Sequence, residues 1–179
     1  TASHNPPKYN GFKIKGDFGG PAHPEMIARV EKELARVMKL KTMPRGTYTF
    51  MQLVDKGKIV PISMKQRYLQ DLATKIDIAS IKSAGVRILY DAMYGAGQNA
   101  LRDLLPDVTM MHETFNPSFE GVNPEPLAHN LTELSRRVKT EGFHIGIATD
   151  GDADRIGAVD ENGNFVDSHR IFSLLLKYL

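Results

Sequence analysis

Between Pro24 and about Lys39 the apolar side chains fall at Ile27, Val30, Leu34, Val37 and Met38. Glu25, Arg29, Glu31, Lys32 and Arg36 occupy the intervening positions. That spacing predicts an amphipathic helix. A second helix is predicted from Ser63 to Ala79, with Ser63 as its candidate cap. The run Val86 to Tyr90 (VRILY) predicts a buried strand. A short helix from about Gln98 to Leu105, a strand at Val108 to His112, a helix from Leu127 to Glu141 and a strand at Phe143 to Ala148 follow. Gly157 to Asp160 and Asn164 to Val166 predict a hairpin about Asn162-Gly163, a strong turn pair. Strands alternating with helices predict an α/β fold, a layered α/β/α domain with a mixed, largely parallel sheet.

The remaining segments read as punctuation. Thr1 to Pro7 is a loop, because Asn5-Pro6 and Pro6-Pro7 break regular structure. Tyr9 to Lys15 is expected to turn at Asn10-Gly11 and then alternate as a short strand. Residues 41 to 62, with Pro44, Gly46, Gly57 and Pro61, read as irregular and place a domain boundary or crossover there. Residues 114 to 126 form a Pro-rich loop.

Composition narrows the function classes. The 179 residues suffice for one sizeable domain, or one domain plus part of another. A net charge of +2 is too small to argue for a nucleic-acid partner. The apolar run Ile171 to Leu176 is too short to span a membrane and is flanked by Arg170 and Lys177. The absence of cysteine excludes disulfides, thiolate metal sites and cysteine nucleophiles, and it fits a cytoplasmic protein. The chain opens at Thr1 on a polar motif and closes at Leu179 within a predicted helix, so both ends are expected to lie inside a longer protein.

The densest chemistry is Thr149-Asp150-Gly151-Asp152-Ala153-Asp154-Arg155. Alternate carboxylates repel one another unless a cation neutralises them. Oxygen-only ligands favour a hard cation, magnesium first. Arg155 can pair a phosphate through its planar fork. Two other readings stand beside this one. Asp150, Asp152, Asp154 and Glu161 also match four positions of an EF-hand calcium loop, although Arg155 stands where that loop needs glycine and a strand leads in. The loop can equally be a solvated acidic turn.

Ser3 begins the other candidate site. A serine hydroxyl attacks nothing until a base, a lowered pKa or a metal activates it. His4 is its neighbour in sequence, and Lys13 lies beyond the Asn10-Gly11 turn. His23, His112, His129, His144 and His169 lack metal-ligand spacing and read as structural or surface residues. Met38 with Met43, and Met110-Met111, read as core filler. Gly95-Ala96-Gly97-Gln98-Asn99-Ala100 after a strand, with Glu113 beyond, faintly matches a dinucleotide-binding fingerprint. Glycines required by a tight strand-to-helix turn are the simpler account.

Together the two segments resemble the α-D-phosphohexomutase family (phosphoglucomutase, phosphomannomutase and relatives). Thr1-Ala2-Ser3-His4-Asn5-Pro6 through Tyr9-Asn10-Gly11-Phe12-Lys13 is similar to its serine loop, and Asp150 to Arg155 to its metal loop. Asp91-Ala92-Met93-Tyr94-Gly95-Ala96-Gly97 and Asn123-Pro124-Glu125-Pro126 are similar to its second-domain turns. The resemblance implies that residues 1–45 end a first domain of similar fold and 46–179 form a second. It implies Ser3 as phosphoryl carrier and as a ligand, through its phosphate, to a magnesium ion held by Asp150, Asp152 and Asp154. Arg155, His4 and Lys13 would serve the phosphate and proton transfer. The implied reaction interconverts hexose 1- and 6-phosphates through a bisphosphate. Glucose or mannose phosphate is the expected substrate, the Tyr9 to Lys15 stretch favouring glucose. The family's remaining domains of the same chain would be its partners, and the fragment alone is expected to be inactive.

Overall fold

In the computed structural model, residues 4–40 and 46–179 are described. They divide into two compact units, one joining the residues up to Gly11 with Lys65–Leu179, the other Phe12–Met64.

The apolar run after Val86 forms β1 (Ile88–Asp91). It lies between β2 (Thr109–Met111) and β3 (Ile145–Thr149) and runs parallel to both. β4 (Ile156–Asp160) and β5 (Phe165–Val166) extend the sheet antiparallel, in the order β2-β1-β3-β4-β5. The sheet is therefore mixed, parallel on one side of β3 and antiparallel on the other. The hairpin turns where Asn162-Gly163 predicts it: Asp160 Oδ1 accepts the Asn162 and Asn164 N–H groups at 3.0 and 2.8 Å.

Successive strand residues point to opposite faces, and the two faces carry separate cores. Leu89, Met111, Ala148 and Val159 pack on one side with Leu131, Leu134 and Val138. Those last side chains line helix α6 (Thr132–Glu141) and its entry, each with 0% exposure. Tyr90, Ala92, Leu105 and Val108 pack on the other side with Ile88, Met110 and Ile147. That face is covered from α4 (Ile78–Ser83) and α5 (Ala100–Leu104), which contribute Ile78, Leu101 and Leu104. α3 (Lys65–Lys75) packs on α5, and α7 (Ser168–Tyr178) on β4. Met110 and Met111 are core residues as expected.

The Phe12–Met64 unit differs from its expectation in several places. α1 (Pro24–Val37) forms where the periodicity predicts it. Met38, expected as core filler, is 66% exposed; its expected companion Met43 lies outside the described residues. Tyr9 to Lys15 forms no strand, and Lys15 makes only one isolated bridge, to Pro21. Proline has no N–H to extend a ladder. Residues 41 to 62 are not wholly irregular: α2 (Phe50–Asp55) is closed by a capping box, with Gln52 N–H on Thr49 Oγ1 and Thr49 N–H on Gln52 Oε1. Six residues are too few for periodicity to declare them.

In the larger unit, the predicted helix Ser63 to Ala79 is divided in two. Its first part starts at Lys65, and Asp77 caps the second by accepting the Ser80 N–H at 2.9 Å. The predicted helix from Leu127 begins only at Thr132, after hydrogen-bonded turns over residues 127–130. Among the described residues, no helix is long and apolar enough to cross a membrane.

Candidate functional site

β1 is followed by a crossover to β2 on one side of it, and β2 by a crossover to β3 on the other. Strand order therefore reverses between β1 and β3. The carboxyl ends of the strands at such a reversal are where open α/β sheets bind ligands. The turn Asp91–Gly97 and the loop Asp150–Arg155 occupy those two ends.

The loop is shaped by its first carboxylate. Asp150 has 0% exposure, and its Oδ1 accepts the N–H groups of Asp154 at 3.0 Å and Arg155 at 3.1 Å. Its backbone carbonyl accepts the Ala153 N–H at 3.0 Å, with Ala153 in the left-handed region at φ 61°. The chain curls around Asp150, and the Asp152 and Asp154 carboxylates are turned to the same point. One oxygen from each of the three lies within 4.8 Å of the others, an arrangement that can hold a metal ion. Hard oxygen donors without nitrogen or sulfur fit a hard cation.

Arg155 is the hub of the surrounding charge. Its Nε lies 3.1 Å from Asp150 Oδ2, and its guanidinium reaches Glu125 Oε1 at 3.6 Å. Its Nη2 also meets His4 Nδ1. Guanidinium nitrogens only donate, so His4 Nδ1 accepts and the ring hydrogen sits on Nε2. The segment after Ser3 thus touches the carboxylate loop across a sequence separation of 151. Ser3 itself lies outside the described residues. Lys13 belongs to the Phe12–Met64 unit, where it is exposed.

The glycines after β1 have a packing role. A Cβ on Gly95 would stand 2.8 Å from the carbonyl oxygens of Asp150 and Gly151. One on Gly97 would stand 2.1 Å from the Tyr90 hydroxyl, which bonds Thr149 Oγ1 at 2.7 Å. Only glycine lets this turn lie against the carboxylate loop. The helix after it spans just five residues, and Glu113 pairs with Arg102 at 2.8 Å. Nothing there supports a dinucleotide site. Calcium in an EF-hand geometry fares no better. Glu161 lies beyond the five-residue strand β4, and a strand of that length separates it from the loop by roughly 17 Å.

Sequence reasoning missed the partners of two residues. Glu125 faces Arg155 from the Pro-rich loop, signalled only by its place in Asn123-Pro124-Glu125-Pro126. His112, read as structural or surface, pairs with buried Asp91 at 2.8 Å. His144, at the other end of the sheet, accepts the Arg87 N–H at 2.9 Å, a structural contact as expected.

The class defined by this geometry is an α/β/α domain with a cation-competent carboxylate loop at its strand reversal. A model for the phosphoglucomutase/phosphomannomutase alpha/beta/alpha domain II matches residues 66–163, and one for domain I matches residues 1–41. The chain belongs to the phosphoglucomutase/phosphomannomutase family. It is 34% identical to a Methanosphaera stadtmanae protein named as a phosphoglucosamine mutase, over 99% of this chain and 38% of that one. It is 31% identical to a Thermococcus kodakarensis phosphoglucomutase/phosphomannomutase, over 98% of this chain and 37% of that one. A crystal structure described as a Thermus thermophilus phosphomannomutase superposes with TM-score 0.79 at 31% identity, over 99% of this chain and 39% of that chain. The chain therefore spans about 38% of the length of such relatives.

Proposed function

We propose that this chain is the serine-loop and metal-loop portion of a phosphohexomutase, residues 1–45 belonging to its first domain and 46–179 to its second. The observation that carries the reading is the contact between His4 and Arg155. It joins the covalent neighbour of Ser3 to the carboxylate loop, as a serine-borne phosphate beside a cation requires.

In this reading Asp150, Asp152 and Asp154 hold magnesium together with an oxygen of phosphorylated Ser3. The bound ion would neutralise charge on the transferring phosphoryl group. Ser3 gives its phosphoryl group to a hydroxyl of a hexose monophosphate: the bond from phosphorus to the serine oxygen breaks as the bond to the sugar oxygen forms. The resulting bisphosphate reorients, and its other phosphate returns to Ser3, leaving the isomeric monophosphate. Arg155 aligns phosphate oxygens through its fork. His4, with its hydrogen on Nε2, donates to a phosphate oxygen, Lys13 supplies positive charge, and the proton of the sugar hydroxyl ends on the Ser3 oxygen released by the breaking bond. Phosphoryl transfer depends mainly on such alignment and charge neutralisation.

The sugar is a hexose phosphate, with glucose or mannose phosphate as the leading choices. Relatives of this chain bear the names phosphoglucosamine mutase, phosphoglucomutase/phosphomannomutase and, in a Thermococcus kodakarensis protein 30% identical, phosphopentomutase. Shared machinery under different substrate names argues that sugar choice resides in the parent's further domains. The isolated chain is expected to show no turnover of glucose 1-phosphate with magnesium and a bisphosphate activator. Calorimetry should find magnesium binding that D152N weakens about 10-fold or more, the scale for a changed ligand set. Wild-type-like binding in D152N, or a preference for calcium by orders of magnitude, would sink the reading.

A further inference from the structure

Behind the carboxylate loop lies a second, buried acid. Asp91, at the end of β1, is 2% exposed. Its Oδ1 accepts the Met93 N–H at 2.8 Å and meets His112 Nδ1 at 2.8 Å. Around this one oxygen, Met93, Tyr94 and His112 adopt φ of 46°, 57° and 46°. Three non-glycine residues in the left-handed region persist only where their surroundings over-determine them. The surroundings here are a closed circuit: Ala92 N–H to Met111 O at 3.1 Å, Tyr94 N–H to His112 O at 2.9 Å and Gly95 N–H to Ala92 O at 2.7 Å. The turn so held projects one further donor, and the Ala96 N–H reaches Gly151 O at 3.0 Å. Gly151 stands between the carboxylates Asp150 and Asp152, and Gly95 is pressed against its carbonyl with no room for a Cβ.

We infer that Asp91 and His112 are a positioning pair for the carboxylate loop, acting through the turn Met93–Ala96. The role in metal binding rests on the reading of that loop as the cation site; the mechanical coupling does not. The pair sets the turn, the turn holds Gly151, and Gly151 sets the separation of the carboxylates on either side of it. His112 donates from Nδ1, so its charge opposes that of a carboxylate almost wholly removed from water, and a charge-assisted bond is the stronger kind. The ring also lies 4.8 Å from that of Tyr94. The titratable groups facing it are Asp91 on β1, Tyr94 in the turn, Glu120 and Glu133. Asp91 holds the imidazole above its ordinary range. Raising the pH through that range removes the charge, leaves a weaker neutral bond and loosens the turn.

Two readouts on the chain test the idea. Amide hydrogen exchange, in the absence of metal, is followed at Ala96, Gly151 and, as a reporter of global opening, Val159. Magnesium affinity is measured by calorimetry across neutral and mildly alkaline pH. H112A should speed Ala96 and Gly151 exchange and weaken magnesium binding, each about 10-fold, the scale for partners that orient ligands. H112Q should retain part of both and lose the wild type's decline in affinity with rising pH. H144A, which changes a histidine at the far end of the sheet, should leave both readouts unchanged. The inference is overturned if H112A leaves Ala96 exchange at the wild-type rate, or if Val159 accelerates equally, which would make the pair merely structural. A wild-type chain that binds no magnesium overturns the cation reading alone, since Ala96 and Gly151 still report the coupling.

Discussion

α1 in the Phe12–Met64 unit and α6 in the larger unit are both amphipathic, and their apolar stripes meet different fates. On α6, Leu134 and Val138 are wholly buried against the sheet. On α1, Val30 and Leu34 are 46% and 55% exposed, and no described residue between Phe12 and Met64 is buried. Periodicity states which face of a helix gains by leaving water; it does not supply the surface that covers it. Only a sheet with two dressed faces does that here.

Stability should divide along the same line. L134A removes a side chain from the filled core and should cost about 3 kcal/mol in urea unfolding followed by circular dichroism. L34A on α1 should change stability by no more than about 0.5 kcal/mol, as exposed substitutions do. Equal losses would show that α1 packs in solution as firmly as α6. The next contrast is between two glycines. G95A drives a Cβ into the backbone of the carboxylate loop, whereas a Cβ on Gly46 would meet nothing nearer than Tyr48 O at 3.9 Å. G95A should therefore cost roughly 1–3 kcal/mol by overpacking and weaken magnesium binding, while G46A leaves both intact.

The smallest contrast is electrostatic. Because the bond to Asp91 raises the His112 pKa, its stabilisation is complete below the unfolded value of about 6.5 and is lost as pH climbs through the raised one. Melting temperature should fall over that window, and H112Q should flatten the curve. The exposed Glu33–Arg36 pair on α1 should show no comparable effect: E33Q should leave the melting temperature unchanged, since exposed pairs contribute little.

Much of this molecule was legible in its sequence because the relevant physics is local. Helical and strand periods named α1, α6, β1 and β3; Asn162-Gly163 named the hairpin; and the Asp-x-Asp-x-Asp spacing named a set of hard oxygen donors. What was not legible is short or remote. α2 is too brief to show a period, and the break before Asp77 turns on one capping side chain. The exposure of Met38 and the absence of a strand after Asn10-Gly11 depend on partners the local pattern cannot supply. Tertiary structure decided that Asp150 is the buried carboxylate around which the loop curls, that His4 meets Arg155, and that Asp91 and His112 stand behind Gly151. The last two join residues that are strangers in sequence, and the parallel pairing of β1 with β2 is what brings Asp91 to His112. Composition and spacing establish which chemical groups the chain carries, whereas the sheet's topology establishes which of them share a point in space.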